Sequence, residues 1–234
     1  MAIDRNKTWT KEELARVNDS LEGASPLEVV KWVIDNFDLK DFKLACSFAD
    51  CVLVDMLVKI EPKATIFYLD SGLLFKETHK VVERVEEKYG IKVERRSTGV
   101  SLKEMSERYG QELWKTDPDL CCEIRKVRPM KEALSGLKLW ITGLRRDESP
   151  TRANAPIVGW DEKFGLIKVN PIANWNRKQV WDYIVSNQVP YNELLDKGYA
   201  SIGCEPCTAP TGSGGDERSG RWAGRAKTEC GLHK

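Results

Sequence analysis

The sequence predicts an α/β fold in which a mostly parallel sheet is wrapped by helices. Short apolar runs of strand length alternate with charged amphipathic stretches of helical length between residues 42 and 187. Such alternation favours parallel pairing of the strands. The 234 residues suit one domain with extensions. No stretch approaches the ~20 apolar residues of a membrane-spanning helix, so no membrane association is expected.

The elements follow one another in a regular order. Residues 10–22 and 26–37 predict two amphipathic helices, the second beginning at Pro26, where the missing N–H is tolerated. Strands are predicted over residues 42–48, 64–69, 91–97, 137–142 and 166–169. Helices are predicted over residues 50–60, 75–89, 101–109, 121–134 and 175–187. Ser101 and Glu104 form the capping-box pattern at the start of one of these helices.

This order divides the chain into three regions. Residues 1–40 form an N-terminal helical segment, residues 41–202 the α/β domain, and residues 203–234 a Cys-x-x-Cys loop with a mobile C-terminal tail. The last region is rich in Gly, Ser and Pro, which favours loops. Ligands of parallel α/β sheets bind at the carboxyl ends of strands. The sequence therefore marks residues 47–50, 70–72 and 143–146 as candidate binding loops.

Charge and cysteine content narrow the functional class. Lys and Arg total 37 against 36 for Asp and Glu, and this balance argues against a general nucleic-acid-binding role. The first residues are polar and lack the apolar core of a signal peptide, so a cytoplasmic location is expected. Seven cysteines are an odd number in a chain of this size. Reduced cysteines that serve metal binding or catalysis are therefore expected rather than a disulfide scaffold.

Four of these cysteines form two close pairs. Cys204 and Cys207 form a Cys-x-x-Cys motif, and Cys121 and Cys122 are adjacent. Together they supply four thiolates, the complement of a tetrahedral sulfur site. Spacing alone leaves a zinc ion, an iron–sulfur centre and two buried pairs that never meet as alternatives. We interpret Cys46 and Cys51, in predicted strand and helix, as small buried apolar residues.

Cys230 stands apart from these pairs near the end of the chain. A cysteine on a flexible arm can enter a site and leave it again to meet a partner. Its thiolate needs positive charge nearby, and four cations are close in sequence: Arg218, Arg221, Arg225 and Lys227. The alternative is a spare surface thiol.

A basic loop follows the strand predicted at 137–142. Residues 143–152 contain Arg145, Arg146 and Arg152, and guanidinium groups suit phosphate or sulfate. The alternative is a solvated charged loop. Residues 215–222 superficially resemble a Walker A loop, but Arg221 and Trp222 replace its Lys and Ser/Thr. No G-x-G-x-x-G or G-x-S-x-G motif is present, so P-loop ATPases, common NAD enzymes and serine hydrolases are disfavoured.

Taken together, these motifs resemble the assimilatory adenylyl-sulfate (APS) reductases, the sister group of the PAPS reductases. The resemblance rests on residues 121–129, 142–152, 203–208, 220–222 and 227–233. They run in the order of the family across most of the chain. The terminal E-C-G-L-H and the split Cys-Cys plus Cys-x-x-Cys are its most specific parts.

The resemblance implies thioredoxin-dependent reduction of APS to sulfite and AMP in sulfate assimilation and cysteine biosynthesis, with thioredoxin or glutaredoxin as reductant. It implies a Rossmann-like nucleotide-binding domain over residues 41–202, of the adenine nucleotide alpha hydrolase-like, PP-loop type. It also implies a 4Fe–4S cluster on Cys121, Cys122, Cys204 and Cys207, with Cys230 as a nucleophile that becomes S-sulfonated. The cations that it assigns to the sulfate and phosphate are Lys126, Arg218, Arg221 and His233, with Arg145 and Arg152 as further candidates.

The nucleotide contacts are expected at the strand ends, from Ser47, Asp50, Asp70 and Gly143. The family loop after the first strand resembles S-F-G-x-E-D, whereas this chain has the shorter sequence S-F-A-D at residues 47–50, without the glycine. Three alternatives stay open: a PAPS reductase, an enzyme of dual specificity, and a nucleotide-binding metal or redox sensor without turnover. A homo-oligomer is one option for the assembly.

Overall fold

The computed structural model describes residue 5, residues 7–211 and residues 216–233. In this part of the chain six strands form one sheet: β1 (Phe42–Ala45), β2 (Ile66–Leu69), β3 (Glu94–Arg96), β4 (Leu139–Thr142), β5 (Val158–Asp161) and β6 (Leu166–Val169). Their order is β3-β2-β1-β4-β6-β5. All neighbours pair parallel except β5, which runs antiparallel to β6. The predicted fold class, a mostly parallel sheet flanked by helices, is confirmed.

The helices of the described residues are α1 (Lys11–Leu21), α2 (Pro26–Asn36), α3 (Val52–Ile60), α4 (Lys76–Tyr89), α5 (Leu102–Tyr109), α6 (Leu113–Thr116), α7 (Pro118–Cys122), α8 (Arg128–Leu134) and α9 (Arg177–Asn187). Capping boxes begin four of them, with N-caps Thr10, Ser25, Ser101 and Asn176. Gly90 ends α4 at φ 64°, where a side chain would be strained. No described helix has the length and apolar character needed to cross a membrane.

The helix predicted over residues 121–134 is interrupted in the structure. α7 and α8 are joined by one wide π-helical turn, Glu123–Val127. Pro129 has no N–H to donate to the carbonyl of Arg125, so the regular helical bond is missing at this point. Such π turns concentrate at functional sites, and Lys126 lies within this one.

The strands alternate their side chains between two cores. On β4, Leu139 and Ile141 face the larger core and Trp140 faces the smaller one. The larger core includes buried residues of α1, α2, α3, α4 and α9, so the N-terminal helices pack on the same core as the sheet. The smaller core is formed with α8. Because both faces are covered at the centre of the sheet, β2 and β4 appear in the sequence as largely apolar runs.

The C-terminal tail, defined here as residues 216–233, packs against this framework. Trp222 is buried, and its backbone N–H donates to the carbonyl of Cys207 at 3.0 Å. The Arg225 guanidinium donates to the carbonyl oxygen of Lys115 at 2.7 Å. Leu232 packs against the smaller core. The tail therefore crosses the Cys-x-x-Cys segment before it reaches the sheet.

Candidate active site at the sheet switch point

A cavity opens where the strand order reverses. In the sheet, β1 lies between β2 and β4. The strands β2 and β3 extend the sheet on one side of β1, and β4, β6 and β5 extend it on the other. Ligands of open α/β sheets bind at this point. The cavity has a volume of about 240 Å³. We call it the switch-point cavity, and ten of the predicted site residues line it: Ser47, Asp50, Lys126, Gly143, Arg145, Arg152, Arg218, Arg221, Cys230 and His233.

Asp70, the remaining predicted nucleotide contact, does not line this cavity. Its buried carboxylate accepts a hydrogen bond from the N–H of Gly72 at 2.8 Å and pairs with Arg95 at 2.7 Å. These contacts shape the turn after β2. Asp50 does line the cavity, where burial raises the pKa of its carboxyl group.

The loop after β1 lacks the glycine of the family loop, and Phe48 adopts a backbone conformation that favours glycine. This residue adopts φ 57°, in the left-handed region that non-glycine residues rarely occupy. Its ring is fully buried and packs edge-on against Tyr68, with centroids 5.7 Å apart. The packing holds a strained backbone in place, so the short loop still directs Ser47 and Asp50 towards the cavity.

Cys230 is the nucleophile candidate of the cavity. The residue as a whole is half-buried. Burial raises the pKa of its thiol, but the charge of Lys126, a hydrogen bond from the Leu232 amide and the charge of Arg221 outweigh burial, so the pKa lies below its ordinary value. A thiolate is the reactive form of cysteine. The site therefore favours a reactive sulfur.

Two arginines of the cavity are held by one carboxylate of the tail. Glu229 is buried and accepts from Arg152 Nε at 2.7 Å and Arg152 Nη2 at 3.0 Å. It also accepts from Arg218 Nη2 at 3.0 Å. Arg145 pairs with Glu217, another tail residue, at 2.5 Å. Carboxylates next to the predicted nucleophile therefore occupy guanidinium groups that suit anions.

Two guanidinium N–H groups have no hydrogen-bond acceptor within the described residues. Nε of Arg218 and Nε of Arg221 are buried and have no hydrogen-bond partner among the described residues. An unpaired buried donor is costly. Both arginines line the switch-point cavity, so an anion bound there is the candidate partner for these N–H groups.

The four paired cysteines share a second, smaller cavity, which we call the cysteine cavity. Cys121 and Cys122 end α7, and Cys204 and Cys207 lie in a segment whose Glu205 N–H donates to the Leu73 carbonyl at 2.8 Å. All four line the cavity together with Arg125, Lys126 and Trp222. Lys126 also lines the switch-point cavity. The structure thus brings the two pairs together and puts one lysine between the two cavities.

The residues around the four thiols suit a metal–thiolate group that carries net negative charge. All four thiols are free of disulfides. Burial raises the pKa of the Cys121 thiol to about 12 and that of Cys122 to about 11, so unliganded thiolates are disfavoured there. Within the described chain neither Arg125 nor Lys126 pairs with a carboxylate. These two cations would balance the negative charge of metal-bound thiolates.

The four cysteines line one cavity without forming a recognisable single-ion site among the described residues. Zinc holds sulfur at ~2.3 Å, which brings ligand atoms close together. Across the described residues no group of three or more His, Cys, Asp or Glu side chains is arranged to hold one metal ion.

Sequence analysis missed several residues of this site. Lys168 Nζ lies 3.0 Å from His233 Nδ1, and the His233 ring stacks on Trp140 with centroids 5.6 Å apart. The occurrence of Lys168 in an otherwise apolar strand, β6, was the sequence feature that could have pointed to its contact with His233. Glu217 gave no signal, and Glu229 stood out only as part of the terminal motif, because Arg145 and Arg152, the arginines that they bind, are distant in sequence.

The phosphoadenosine phosphosulfate reductase domain family matches residues 43–210. The chain is 45% identical over 230 residues to an adenosine 5′-phosphosulfate reductase of Geobacillus sp. strain WCH70, with 97% of each chain covered. It is 46% identical over 230 residues to adenosine 5′-phosphosulfate reductase 2 of Bacillus subtilis strain 168, covering 97% of this chain and 96% of that one.

Solved structures agree with these relatives. A phosphoadenylyl-sulfate reductase of Candida auris, in a phosphate complex, has 32% identity and a TM-score of 0.77, covering 87% of this chain and 99% of that one. An FMN adenylyltransferase of Candida glabrata shares only the fold, with 14% identity, a TM-score of 0.55 and coverage of 88% and 70%. The chain therefore belongs to the phosphoadenosine phosphosulfate reductase domain family, among the adenosine 5′-phosphosulfate reductases.

Proposed function

We propose that the protein reduces APS to sulfite and AMP, in assimilatory sulfate reduction towards cysteine. The observation that carries the proposal is Cys230, a half-buried residue that lines the switch-point cavity beside Lys126 and Arg221. A lowered thiol pKa beside unused guanidinium donors suits attack on an anionic sulfur compound. Relatives that carry the name adenosine 5′-phosphosulfate reductase support this choice of substrate.

In the first step the Cys230 thiolate attacks the sulfur of APS. The bond from that sulfur to the bridging phosphate oxygen breaks, AMP leaves with the electron pair, and Cys230 retains a sulfonate. Two anions meet in this step, and like charges ~4 Å apart repel by about 4 kcal/mol at an effective dielectric constant of ~20. Lys126 and the arginines of the cavity offset this repulsion.

Arg218 and Arg221 are the residues that we assign to the phosphosulfate oxygens. Their Nε donors lack partners within the described residues, and a guanidinium group can donate two parallel bonds to such an anion. Arg145 and Arg152 already bind carboxylates, so they contribute charge and exchange partners only when the tail moves. We assign the neutral ring of His233, stacked on Trp140, to the same end of the cavity.

The adenosine occupies the opposite end of the cavity in this proposal, over Ser47, Asp50 and Gly143. These residues follow β1 and β4, the two strands at the switch point. Asp50 lines the cavity at this end, and its carboxylate oxygens are acceptors for ribose hydroxyls.

In the second step a dithiol, of the thioredoxin or glutaredoxin class, attacks Sγ of Cys230. Sulfite leaves with the electron pair of the broken S–S bond, and a mixed disulfide forms. The second thiol of the partner then attacks this disulfide and releases the Cys230 thiolate. The partner is oxidised to a disulfide, which supplies the two electrons of the reaction. The free cysteines of the chain suit the reducing cytoplasm in which such partners act.

Cys121, Cys122, Cys204 and Cys207 are the residues that would hold a 4Fe–4S cluster. Such a cluster would supply net negative charge beside Lys126, whereas the dithiol supplies the electrons. Lys126 lines both cavities and therefore carries that electrostatic influence towards Cys230. Anaerobic purification with iron and sulfide, followed by a visible spectrum, tests this assignment; a colourless protein that binds zinc would contradict it.

The test of the function is the covalent intermediate. Enzyme mixed with APS in the absence of reductant should gain the mass of one SO3 on Cys230, measured on the intact protein and on the C-terminal peptide. The Cys230→Ser variant should keep its visible absorbance but gain no mass and release no sulfite. Substantial turnover by this variant would contradict covalent catalysis.

PAPS is the second candidate substrate, because the solved relative with the TM-score of 0.77 is a phosphoadenylyl-sulfate reductase. Sulfite release from equal concentrations of APS and PAPS distinguishes the two. We expect faster release from APS, since the more similar relatives are APS reductases. Equal or faster release from PAPS would change the substrate but leave the chemistry of Cys230 intact.

A further inference from the structure

Two lysines of the β5–β6 hairpin contact the last residues of the tail. Lys163, in the turn of the hairpin, donates from Nζ to the carbonyl oxygen of Gly231 at 2.6 Å. Lys168, on β6, has its Nζ 3.0 Å from Nδ1 of His233. Both contacts lie immediately beyond Cys230. Neither lysine forms an ion pair with a carboxylate within the described residues, so tail atoms are their main polar partners.

The position of Lys168 follows from the strand register. It lies opposite Trp140 in the parallel pairing of β4 with β6, and Ile167 and Val169 face the larger core on the other side of the sheet. Its Nζ lies 5.1 Å from the Trp140 ring centroid. His233 stacks on the same ring with an interplanar angle of 5°. The imidazole is thus held on its face by Trp140 and at its nitrogen by Lys168.

The bond to Lys163 acts on the backbone next to the nucleophile. Gly231 has φ 89°, a conformation that turns the chain sharply after Cys230 and that L side chains rarely adopt. The Lys163 ammonium binds the carbonyl group at this turn. The turn also brings the Leu232 amide to the Cys230 sulfur. Lys163 therefore stabilises the backbone geometry that directs the thiol into the cavity.

We propose that Lys163 and Lys168 are positioning residues that hold the tail closed over the switch-point cavity during the attack on the substrate. This inference rests on the proposed function, in which one sulfur serves two steps with opposite requirements. Sulfonation needs Cys230 inside the cavity. Reduction by a folded protein dithiol needs the same sulfur to be exposed. The two lysine contacts set the balance between these positions.

The β5–β6 hairpin itself does not depend on these two contacts. Its strands are joined by four antiparallel residue pairs, from Val158 with Val169 to Asp161 with Leu166. Its turn is closed by the N–H groups of Lys163 and Phe164, which donate to the Asp161 carboxylate at 3.1 Å. Substitution of the lysine side chains therefore leaves the hairpin intact and changes only its contacts with the tail.

The experiment compares Lys163→Met and Lys168→Met with wild type. Lys11→Met is the matched control, because Lys11 bonds to Glu162 in the same hairpin turn but does not contact the tail. The first measurement is the rate at which iodoacetamide alkylates Cys230 without substrate, followed by peptide mass spectrometry. Loss of one charged hydrogen bond should raise this rate roughly tenfold or more in each lysine variant. The control should alkylate like wild type.

The second measurement separates the two half-reactions. Sulfonation by APS without reductant should slow in both lysine variants, so that the ratio of the alkylation rate to the sulfonation rate rises by the full factor, because this ratio follows the open-to-closed equilibrium of the tail. Reduction of enzyme that has been sulfonated beforehand should proceed at least as fast as in wild type. A Lys163→Arg variant should restore both rates, since arginine also donates to the carbonyl.

Three results decide the inference. Alkylation and sulfonation rates equal to wild type in both methionine variants would overturn it. A parallel fall of both half-reactions with a lowered melting temperature would also overturn it, because it would indicate a merely structural role. If wild-type enzyme forms no sulfonate at all, the proposed function fails, whereas the alkylation rates still decide whether the lysines hold the tail.

Discussion

Replacing Glu229 by glutamine tests whether its carboxylate anchors the nucleophile-bearing tail. The substitution keeps the shape of the side chain and removes its charge. In the native protein this carboxylate accepts two bonds from Arg152, at 2.7 and 3.0 Å, and one from Arg218, at 3.0 Å. Burial raises the pKa of Glu229, but the hydrogen bond and charge of Arg152 and the charge of Arg218 outweigh it, so the group stays ionised well below neutral pH.

The expected magnitude follows from burial. The side chains of Arg152 and Glu229 are only 7% and 6% exposed, so water screens the pair little. Removing one partner of such a buried pair costs about 3–5 kcal/mol. Glutamine keeps one acceptor oxygen, which favours the lower end of that range. About 3 kcal/mol corresponds to a shift of roughly a hundredfold towards the open tail.

The assay is iodoacetamide alkylation of Cys230 together with hydrogen–deuterium exchange of residues 226–233. In Glu229→Gln, alkylation should accelerate by one to two orders of magnitude, and the tail amides should exchange faster. The melting temperature of the sheet domain should change little. Alkylation within twofold of wild type would refute the anchoring role of this ion pair. Arg152→Lys, which cannot bond in the same two-pronged way, should give a smaller effect in the same direction.

Three further predictions concern single groups of the site. Lys126→Met should raise the pKa of Cys230 by about one unit or more, measured as the pH dependence of its alkylation rate. Burial and the charge of Lys168 hold the pKa of His233 well below 6.5, so the unfolded chain binds a proton near pH 6.5 that the folded chain does not. Stability should therefore fall as the pH drops through 6.5, and His233→Gln should flatten that decline in urea unfolding curves. A Cβ at Gly203 would lie 2.1 Å from Nη2 of Arg221, so Gly203→Ala should displace this guanidinium and raise the KM for APS about tenfold, with a smaller change in kcat.

Matched variants control these experiments. Lys131→Met removes an exposed lysine of α8 and should leave the alkylation profile unchanged. Gly23→Ala adds a methyl group where nothing lies within 4 Å and should leave KM unchanged. Equal pH dependence of unfolding in wild type and His233→Gln would show that this imidazole is not the group that titrates.

Much of the scaffold could be predicted from local patterns. The strands β2 and β4 are largely apolar runs because both faces of the sheet are buried there, and β1 and β6 are apolar apart from one lysine each. The capped helices carry their own start signals, as Ser101 with Glu104 illustrates. The sulfur ligands and Cys230 could be proposed because their spacing is specific, although the sequence could not decide whether the two cysteine pairs meet.

The missed features depend on contacts that are distant in sequence. β5 contains a glycine and an exposed tryptophan, Gly159 and Trp160, and it is a strand only because β6 pairs with it. Glu229 accepts a hydrogen bond from Arg152, which lies 77 positions away in the sequence. Charge patterns along a sequence do not predict an ion pair over such a separation. Phe48 occupies a left-handed conformation that its residue type does not favour. Only the packing of its buried ring makes that conformation accessible.

Trp222 links the cysteine cavity to Arg221 of the switch-point cavity. Its backbone is bonded to Cys207, its ring lines the cysteine cavity, and Arg221 precedes it by a single peptide bond. Under the proposed function, oxidation of Cys207 would therefore displace the guanidinium that we assign to the substrate as well as a sulfur that we assign to the cluster.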